Sequence, residues 1–425
     1  MRIAFIVDKL PVPSETFVLR QMQGFAERGH EVFVLAAKYD DSAVDPTRGH
    51  VELRVFRQDV SMLRHSVSCA KLGALACIDD KRRKRLSVAL RAAATGCRSA
   101  FIDIVSGGDT AGIDFDVVIA HFGPIGVRAM YLQEAGLLTG PIVTVFHGSD
   151  MSEQAVVERW LPHYRRLFRL SPLLLPISNL WRNRLIEWGA PESRTKVHHV
   201  GVETHRLKPQ ASNRPLHRPL KVLSVARFTE KKGLAYAIEG VRSCRHPVQL
   251  NLIGFGPLED TLRRAASSST NEINFLGKCP HERVFEELKS ADVFLLPSVV
   301  ASNGDMEGIP VSIMEAMATG VLVVATRHSG IPELVTHGVT GLLVEERSAS
   351  GIAEALSAIV EGKVDVEAIR TNARRKVENE FNGQALDADL ERLLVRTLGY
   401  ATPANGQDRE YHGDEVAVGC NRPPT

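Results

Sequence analysis

The sequence predicts an α/β protein built from two Rossmann-like domains. Short apolar runs alternate with amphipathic stretches, which is typical of a parallel sheet covered by helices on both faces. A polar stretch at residues 206–219 contains three prolines and no apolar period, and this indicates a linker between two such units. A chain of 425 residues, 44% hydrophobic and 24% charged, is long enough for two domains.

The predicted strands fall into two groups. In the first half they cover residues 3–7, 31–36, 51–56, 117–120, 142–146, 173–177 and 197–200, with an amphipathic helix at residues 16–28. In the second half they cover residues 220–225, 248–253, 273–276, 293–296, 322–325 and 342–344. These groups predict a first domain at residues 1–205 and a second at residues 220–379. Ligands of such sheets bind at the carboxyl ends of the strands, so the loops at residues 9–16, 120–126 and 146–150 are predicted to face a ligand.

Composition argues against several classes of function. A formal net charge of +2 does not favour nucleic-acid binding. The six cysteines form no C-x-x-C pair and no zinc spacing, so we expect free thiols in a reducing compartment. No apolar run approaches the roughly 18 residues of a spanning helix, and the first run is too short for a signal peptide. We therefore expect a cytoplasmic protein, or one held at a membrane surface, with a disordered polar tail at residues 400–425.

The most informative stretch is residues 305–320, which places two carboxylates, Glu307 and Glu315, around the start of a helix. Pro310 suits the first helical position and Gly320 suits the C-terminal cap, so a helix is predicted over residues 310–319. The amide N–H groups at residues 309, 311 and 312, with the positive end of the helix dipole, form a seat for a phosphate or another anion.

The two glutamates flank this anion seat. Carboxylates aimed at an anion would repel it, so they are better suited to accept hydrogen bonds from hydroxyls on either side of it. A nucleotide sugar offers such hydroxyls, on its ribose and on its hexose, at the two ends of a diphosphate. The simpler alternative is one glutamate that stabilises the helix dipole and one that is solvated, and for the spacing alone that alternative is favoured.

The surrounding residues reverse this preference. Glu307-Gly308-Ile309-Pro310 and Glu315-Ala316-Met317-Ala318 are followed by a strand at residues 321–326 and by Ser329-Gly330-Ile331-Pro332-Glu333-Leu334. This block closely resembles the signature of retaining glycosyltransferases of family 4. The loop Leu10-Pro11-Val12-Pro13-Ser14-Glu15-Thr16-Phe17 lacks the paired glycines of many members and is similar to a bacterial exopolysaccharide branch, with the colanic acid and amylovoran pathways as examples.

The resemblance covers about residues 1–398 and is strongest at residues 225–233 and 305–334. It implies a GT-B fold, in which the two Rossmann-like domains face each other across a cleft that holds the active site. It also implies that a C-terminal helix, at about residues 380–398, packs back on the first domain.

The resemblance further implies roles for individual residues. Arg227 and Lys232, on the loop after the first strand of the second domain, would neutralise the donor diphosphate without a metal or cofactor. Glu307 would hold the hexose, Glu315 the ribose, and His121 would lie beside the hexose and help to screen leaving-group charge. The remaining expected donor-binding residues are Gly254, Gly277, Lys278, Gly308, Ile309, Pro310 and Val311.

Candidate acceptor residues lie in the first domain. Ser14, Glu15 and Thr16 place hydroxyls and a carboxylate at a helix start, and an N-cap by Ser14 is as good an explanation as a ligand role. His147 and Asp150 end a strand with a similar polar cluster.

Residues 81–94 are predicted to form a helix that begins with a basic segment, residues 81–85. An apolar stripe runs along this helix through Leu86, Ala89, Leu90 and Ala93. A solvated face is one interpretation, and a helix on an anionic membrane surface is the other. The resemblance favours the membrane, because many relatives act on lipid-linked acceptors. The basic residues are Lys81, Arg82, Arg83, Lys84 and Arg85.

The function expected is therefore transfer of a hexose from a nucleotide-diphosphate sugar, with UDP as the expected nucleotide, to a saccharide acceptor. A lipid-linked oligosaccharide of exopolysaccharide synthesis is the expected acceptor. Two alternatives stay open: a nucleotide-sugar epimerase or another enzyme on the same fold, and a sugar-nucleotide binder without activity.

Overall fold

The computed structural model describes residues 1–10, 12, 15–39, 52–55, 79–106, 114–209 and 214–400. It contains two six-stranded sheets; with the strands numbered in chain order, the sheet orders are 3-2-1-4-5-6 and 12-11-10-7-8-9. Neighbouring strands are parallel in both sheets. The predicted fold class is confirmed, because each sheet carries helices in the crossover connections of a Rossmann-like domain.

The first sheet is formed by six strands whose bounds follow the predicted apolar runs closely. They are β1 (Arg2–Leu10), β2 (Glu31–Tyr39), β3 (Glu52–Val55), β4 (Val117–His121), β5 (Ile142–Phe146) and β6 (Leu173–Pro176). The helices are α1 (Thr16–Glu27), α2 (Asp80–Ala94), α3 (Arg98–Ser106), α4 (Gly123–Glu134), α5 (Ser149–Ser152), α6 (Gln154–Leu170) and α7 (Asn179–Glu187).

The second sheet has the same construction. Its strands are β7 (Leu220–Val225), β8 (Val248–Ile253), β9 (Glu272–Gly277), β10 (Val293–Leu296), β11 (Leu322–Thr326) and β12 (Leu342–Val344). Its helices are α8 (Leu234–Ser243), α9 (Glu259–Ala266), α10 (His281–Ser290), α11 (Val311–Ala318), α12 (Ile331–Leu334), α13 (Ala349–Val360) and α14 (Val366–Glu380), and α15 (Gly383–Leu398) ends the described chain.

The structure differs from the prediction at residues 197–200, which form no strand. This segment runs beside β6, where Lys196 and His198 donate backbone hydrogen bonds to Leu174 and Pro176, but the only bridge there joins Leu174 to Thr195. The apolar residues that suggested a strand are thus part of an extended connection and not of the sheet.

Helix α11 begins one residue later than predicted. Pro310 has an extended ψ of 120° and is the N-cap, so the first helical residue is Val311. Gly320 ends the helix with φ +76°, and the amides of Gly320 and Val321 donate to the carbonyls of Met317 and Ala316. This is the pattern of a Schellman cap, which requires the left-handed conformation that glycine adopts easily.

The chain crosses between the two sheets twice, and the crossings lie side by side. Val202 donates to the carbonyl of Phe381 and accepts from the amide of Gly383. Beyond this point α15 packs on α1, where Arg20 and Asp387 form a 2.7 Å ion pair. Leu390 and Leu394 enter the core under the first sheet, so residues 383–398 belong spatially to the first domain. Residues 210–213 of the predicted linker and 401–425 of the predicted tail lie outside the described residues.

Candidate active site

The two loops that carry Lys232 and Glu307 meet at the carboxyl end of the second sheet. Lys232 lies on a short 3-10 turn after β7. Gly233 follows with φ +63°, and a Cβ there would lie 1.8 Å from the carbonyl oxygen of Pro297, so only glycine allows this turn to approach the end of β10. The approach brings Lys232 Nζ within 2.6 Å of Glu307 Oε1.

This ion pair is largely withdrawn from water, since the side chains of Lys232 and Glu307 are 17% and 8% exposed. Burial alone would raise the pKa of Glu307, but the ammonium groups of Lys232 and Lys231 outweigh it and hold that pKa below its ordinary value of 4.5. Lys231 itself is paired with Asp305 at 3.0 Å. Glu307 is therefore an anion at neutral pH.

The backbone of Glu307 is held by residues that sequence reasoning missed. Its amide donates to His328 Nε2 at 3.1 Å. Because a backbone N–H can only donate, that nitrogen is unprotonated, and Nδ1 carries the proton that it shares with Glu346 at 2.6 Å. Ser329 Oγ donates to the carbonyl of Glu307 at 2.6 Å. The position of His328, two residues after the end of β11, was the available signal.

The start of α11 leaves backbone donors free. Within the described residues, the amide N–H groups of Ile309, Val311 and Ser312 have no hydrogen-bond partner. Gly308 lies directly before them, and a Cβ on it would meet the carbonyl oxygen of His147 at 2.5 Å. The unpaired amides on which the predicted anion seat depends are therefore present, and they lie against the first domain.

Glu315 lies inside α11, and its side chain is 15% exposed. Its partner is His281 Nε2, at 3.4 Å, at the start of α10. The hydrogen bond with Glu315 is the main cause that raises the pKa of His281. Sequence reasoning missed His281, which is the first residue of a different helix, α10. Arg227 is exposed on the loop after β7.

The glycines at the ends of β8 and β9 differ in what surrounds them. Gly254 has φ +140°, and a Cβ there would lie 1.8 Å from the carbonyl oxygen of Ala226. Close packing of two loops of the protein is thus one reason for a glycine here, and its expected role in donor binding stays a prediction. Gly277, with φ +70°, faces open space. Lys278 is exposed and its Nζ lies 5.8 Å from the ring centre of Phe255, which is itself 50% exposed.

His121 lies in a buried row of neutral side chains. Its Nε2 is 3.0 Å from Gln21 Oε1 and its Nδ1 is 3.1 Å from His147 Nε2. An amide oxygen only accepts, so His121 donates from Nε2 and accepts at Nδ1 from His147. Burial lowers the pKa of His121 to about 3. His121 is therefore a neutral imidazole with both nitrogens engaged, and its expected place beside the hexose stays a prediction.

Asp150 has a structural role in this structure, and its expected acceptor contact stays a prediction. Its buried carboxylate accepts hydrogen bonds from the amides of Gly123, Gly148 and His147 at 2.9, 2.9 and 3.0 Å. It thereby fixes the loop between β5 and α5 against the start of α4. His147 is held in that loop, and burial lowers its pKa well below the ordinary range.

Ser14 lies outside the described residues. Glu15 is the N-cap of α1 without a side-chain capping bond, and Thr16 is exposed. Burial, with a smaller effect from the charge of Asp8, raises the pKa of Glu15 to about 7. Glu15 is thus a titratable group at neutral pH on the cleft side of the first sheet.

The basic segment forms the first turns of α2. Four of its side chains are exposed and Arg85 is half-buried, while the buried face of the helix is formed by Val88, Ala89 and Ala92. The predicted apolar stripe is not one face, because Leu86 packs on the core and Leu90 is 57% exposed. In the described part of the chain, no helix has the length and hydropathy needed to cross a bilayer.

Comparisons with known proteins give the family. A model described as "Glycosyl transferases group 1" matches residues 208–376. WcaL of Escherichia coli (strain K12), named as a colanic acid biosynthesis glycosyltransferase, is 39% identical over 411 residues, which are 93% of this chain and 99% of that protein. AmsK of Erwinia amylovora, an amylovoran biosynthesis glycosyltransferase, is 35% identical over 421 residues, 93% of this chain and 100% of that protein.

The solved structures give the same fold. Anabaena HepE in complex with UDP and glucose has a TM-score of 0.70 at 19% identity, covering 93% of this chain and 100% of that chain. A sucrose-phosphate synthase from Thermosynechococcus elongatus has a TM-score of 0.69 at 18% identity, covering 94% and 99%. At these identities the likeness concerns the fold alone, and the fold is that of GT-B glycosyltransferases.

Proposed function

The chain belongs to the group 1 glycosyl transferases and is a glycosyltransferase, and on this premise we propose that it moves a hexose from UDP-hexose to a lipid-linked saccharide. The acceptor belongs to bacterial exopolysaccharide synthesis, as the names of WcaL and AmsK suggest for those relatives. The transfer retains the anomeric configuration and needs no metal ion or other cofactor.

The observation that carries the proposal is the Lys232–Glu307 pair at the N-terminus of α11. An ammonium, a set of unpaired amides and a buried carboxylate meet at one point. A diphosphate needs the first two, and a hexose hydroxyl needs the third. When the donor enters, its phosphates compete with Glu307 for Lys232, which leaves the carboxylate able to accept from the sugar.

The reaction breaks the bond between C1 of the hexose and the diphosphate oxygen, which keeps the electron pair. Lys232, Arg227 and the amides at the start of α11 stabilise the resulting negative charge. The acceptor oxygen forms the new bond to C1 on the same face, and its proton passes to the departing phosphate oxygen. Glu315 holds the ribose, at the other side of the anion seat from Glu307.

The first domain supplies the acceptor side. Glu15 is the titratable group there, and the row of neutral histidines gives a rigid wall without charge. A cytoplasmic protein that uses a lipid-linked acceptor must meet the inner face of the membrane. The exposed residues of α2, four basic side chains and Leu90, are the surface that we assign to this contact.

The test is a two-step assay with the full chain. A panel of UDP- and GDP-hexoses is screened for thermal stabilisation, and the best donor, radiolabelled, is then incubated with bacterial membrane extract. Label in the lipid fraction is expected, with loss of transfer in Lys232→Met but not in Lys231→Met, whose partner is Asp305 outside the seat. Conversion of the donor into another nucleotide sugar without extract would overturn the proposal in favour of an epimerase.

A further inference from the structure

Glu333 belongs to the second domain, but its carboxylate binds the first. It lies on α12, directly after β11, and accepts from the amide of Asn179 with both oxygens, at 2.9 and 3.0 Å. Asn179 Nδ2 and the amide of Leu180 donate to the same carboxylate at 3.1 and 3.3 Å. Asn179 and Leu180 are the first two residues of α7.

These contacts complete the N-terminus of α7. Its third amide, that of Trp181, is bound within the first domain by Ser178 Oγ at 3.3 Å. The first two amides are bound across the cleft by Glu333. A negative charge at this end of a helix is also stabilised by the helix dipole. Ser178 thus caps α7 from within the first domain, whereas the bonds from Glu333 to its first two amides form only when the two domains are closed on each other.

The segment that carries Glu333 also holds the donor site. Ser329 and His328 bind the backbone of Glu307, as described above, and a Cβ on Gly330 would lie 2.8 Å from the carbonyl oxygen of Gly308. Residues 328–333 therefore join the carboxylate of the proposed donor site to the contact across the cleft. Other bonds cross nearby, including that from the amide of Met306 to Ser152 Oγ at 2.9 Å.

From this continuity we infer that Glu333 is a positioning residue for the transfer reaction: its carboxylate holds the cleft closed on α7 while residues 328–330 hold Glu307 in place. The catalytic consequence rests on the proposed transfer. Glu333 itself touches neither donor nor acceptor. Its loss is expected to leave UDP affinity unchanged and to lower kcat.

The first test uses Glu333→Ala with Asp365→Ala as the matched control, because Asp365 also caps a helix but does so within the second domain, where it accepts from Ala368 at 3.0 Å. Glu333→Ala should lower kcat about ten- to a hundredfold, the loss expected for charged hydrogen bonds, with an unchanged Kd for UDP. Small-angle X-ray scattering should give it a larger radius of gyration than wild type, and Asp365→Ala should not differ from wild type.

A second variant alters the contact between Glu333 and α7 on the side of the first domain. Asn179→Asp places a carboxylate against Glu333 and should open the cleft, although an acidic residue at this position stabilises α7 itself. In the Glu333→Ala background the same substitution should have no further effect, because the repelling partner is gone. Scattering needs no acceptor, so it tests the inference even if the proposed transfer fails. A wild-type radius of gyration in Glu333→Ala, or an equal effect of Asn179→Asp in both backgrounds, would overturn it.

Discussion

Replacing Glu307 with glutamine tests the proposal that Lys232 binds the diphosphate and Glu307 binds the hexose. The substitution keeps the shape of the side chain but removes the charge that neutralises Lys232 at 2.6 Å. Breaking a buried ion pair by removing one partner costs about 3–5 kcal/mol, and we expect about 3 kcal/mol here, because both side chains keep some contact with water. The thermal midpoint without ligand should fall accordingly.

Donor binding should respond in the opposite direction. The ammonium of Lys232 is released to the diphosphate, so Glu307→Gln should bind UDP at least as tightly as wild type, and saturating UDP should raise its thermal midpoint more than that of wild type. Turnover should fall about ten- to a hundredfold, because a charged hydrogen bond to the hexose is lost. Isothermal titration with UDP and steady-state transfer assays measure the two effects separately.

The stability that the Lys232–Glu307 pair contributes should change with pH in a direction that can be measured. The folded pKa of Glu307 lies below its ordinary value of 4.5, so the stability that the pair contributes is complete above about pH 4.5 and is lost as the pH falls through the lower folded pKa. The difference in stability between wild type and Glu307→Gln should shrink in that range. Glu230→Gln is the control, since Glu230 lies on the same turn but binds Ser302 at the surface. A tenfold loss of UDP affinity in Glu307→Gln, about 1.4 kcal/mol, would refute the assignment to the hexose.

Three further predictions concern the nucleotide, the metal and the membrane. Glu315→Ala should weaken UDP binding about ten- to a hundredfold by titration; an equal loss in Glu307→Ala would contradict the assignment. Transfer should persist in excess EDTA, and activity that returns only with Mg2+ or Mn2+ would exclude the proposed charge neutralisation. Serine at all five basic positions of α2 should release the protein from anionic vesicles, because each basic residue contributes about 1 kcal/mol of binding free energy. The control variant Arg242→Ser with Arg264→Ser should stay bound. If the fivefold variant sediments with the vesicles as wild type does, the basic side of α2 is only a solvated face. The five positions are Lys81, Arg82, Arg83, Lys84 and Arg85.

The fold was predictable because buried parallel strands have continuous apolar runs in their sequence. The bounds predicted from such runs are those of the structure for β5, β7, β8, β10 and β12. The prediction failed at residues 197–200, Val-His-His-Val, because an extended connection that runs beside β6 has the same short local pattern as a strand of the sheet. Strand pairing is a property of the folded chain, and no local period encodes it.

The site was predictable only in part. The resemblance singled out Lys232 and Glu307, but their ion pair depends on loops that meet only in the folded sheet. His328 and Glu346 escaped notice because each is an ordinary polar residue until β11 and β12 align them. The burial that lowers the pKa of His121 was not predictable for the same reason, since it cannot be read from a histidine at a strand end.

The two domains differ in how they handle charge, and this difference bears on the mechanism. In the second domain the proposed donor site contains the Lys232–Glu307 pair, with the Lys231–Asp305 pair next to it. An entering diphosphate would replace Glu307 as the partner of Lys232, and the ammonium is not left unpaired in the empty site. Across the cleft the corresponding wall is a row of neutral imidazoles that includes His121. A neutral wall does not compete for the diphosphate, and it does not attract the leaving group away from Lys232. Closure of the first domain, as through Glu333, therefore brings uncharged imidazoles toward the donor together with the Glu15 carboxyl group, whose pKa is raised to about 7, so the charge that closure adds depends on the ionisation of Glu15.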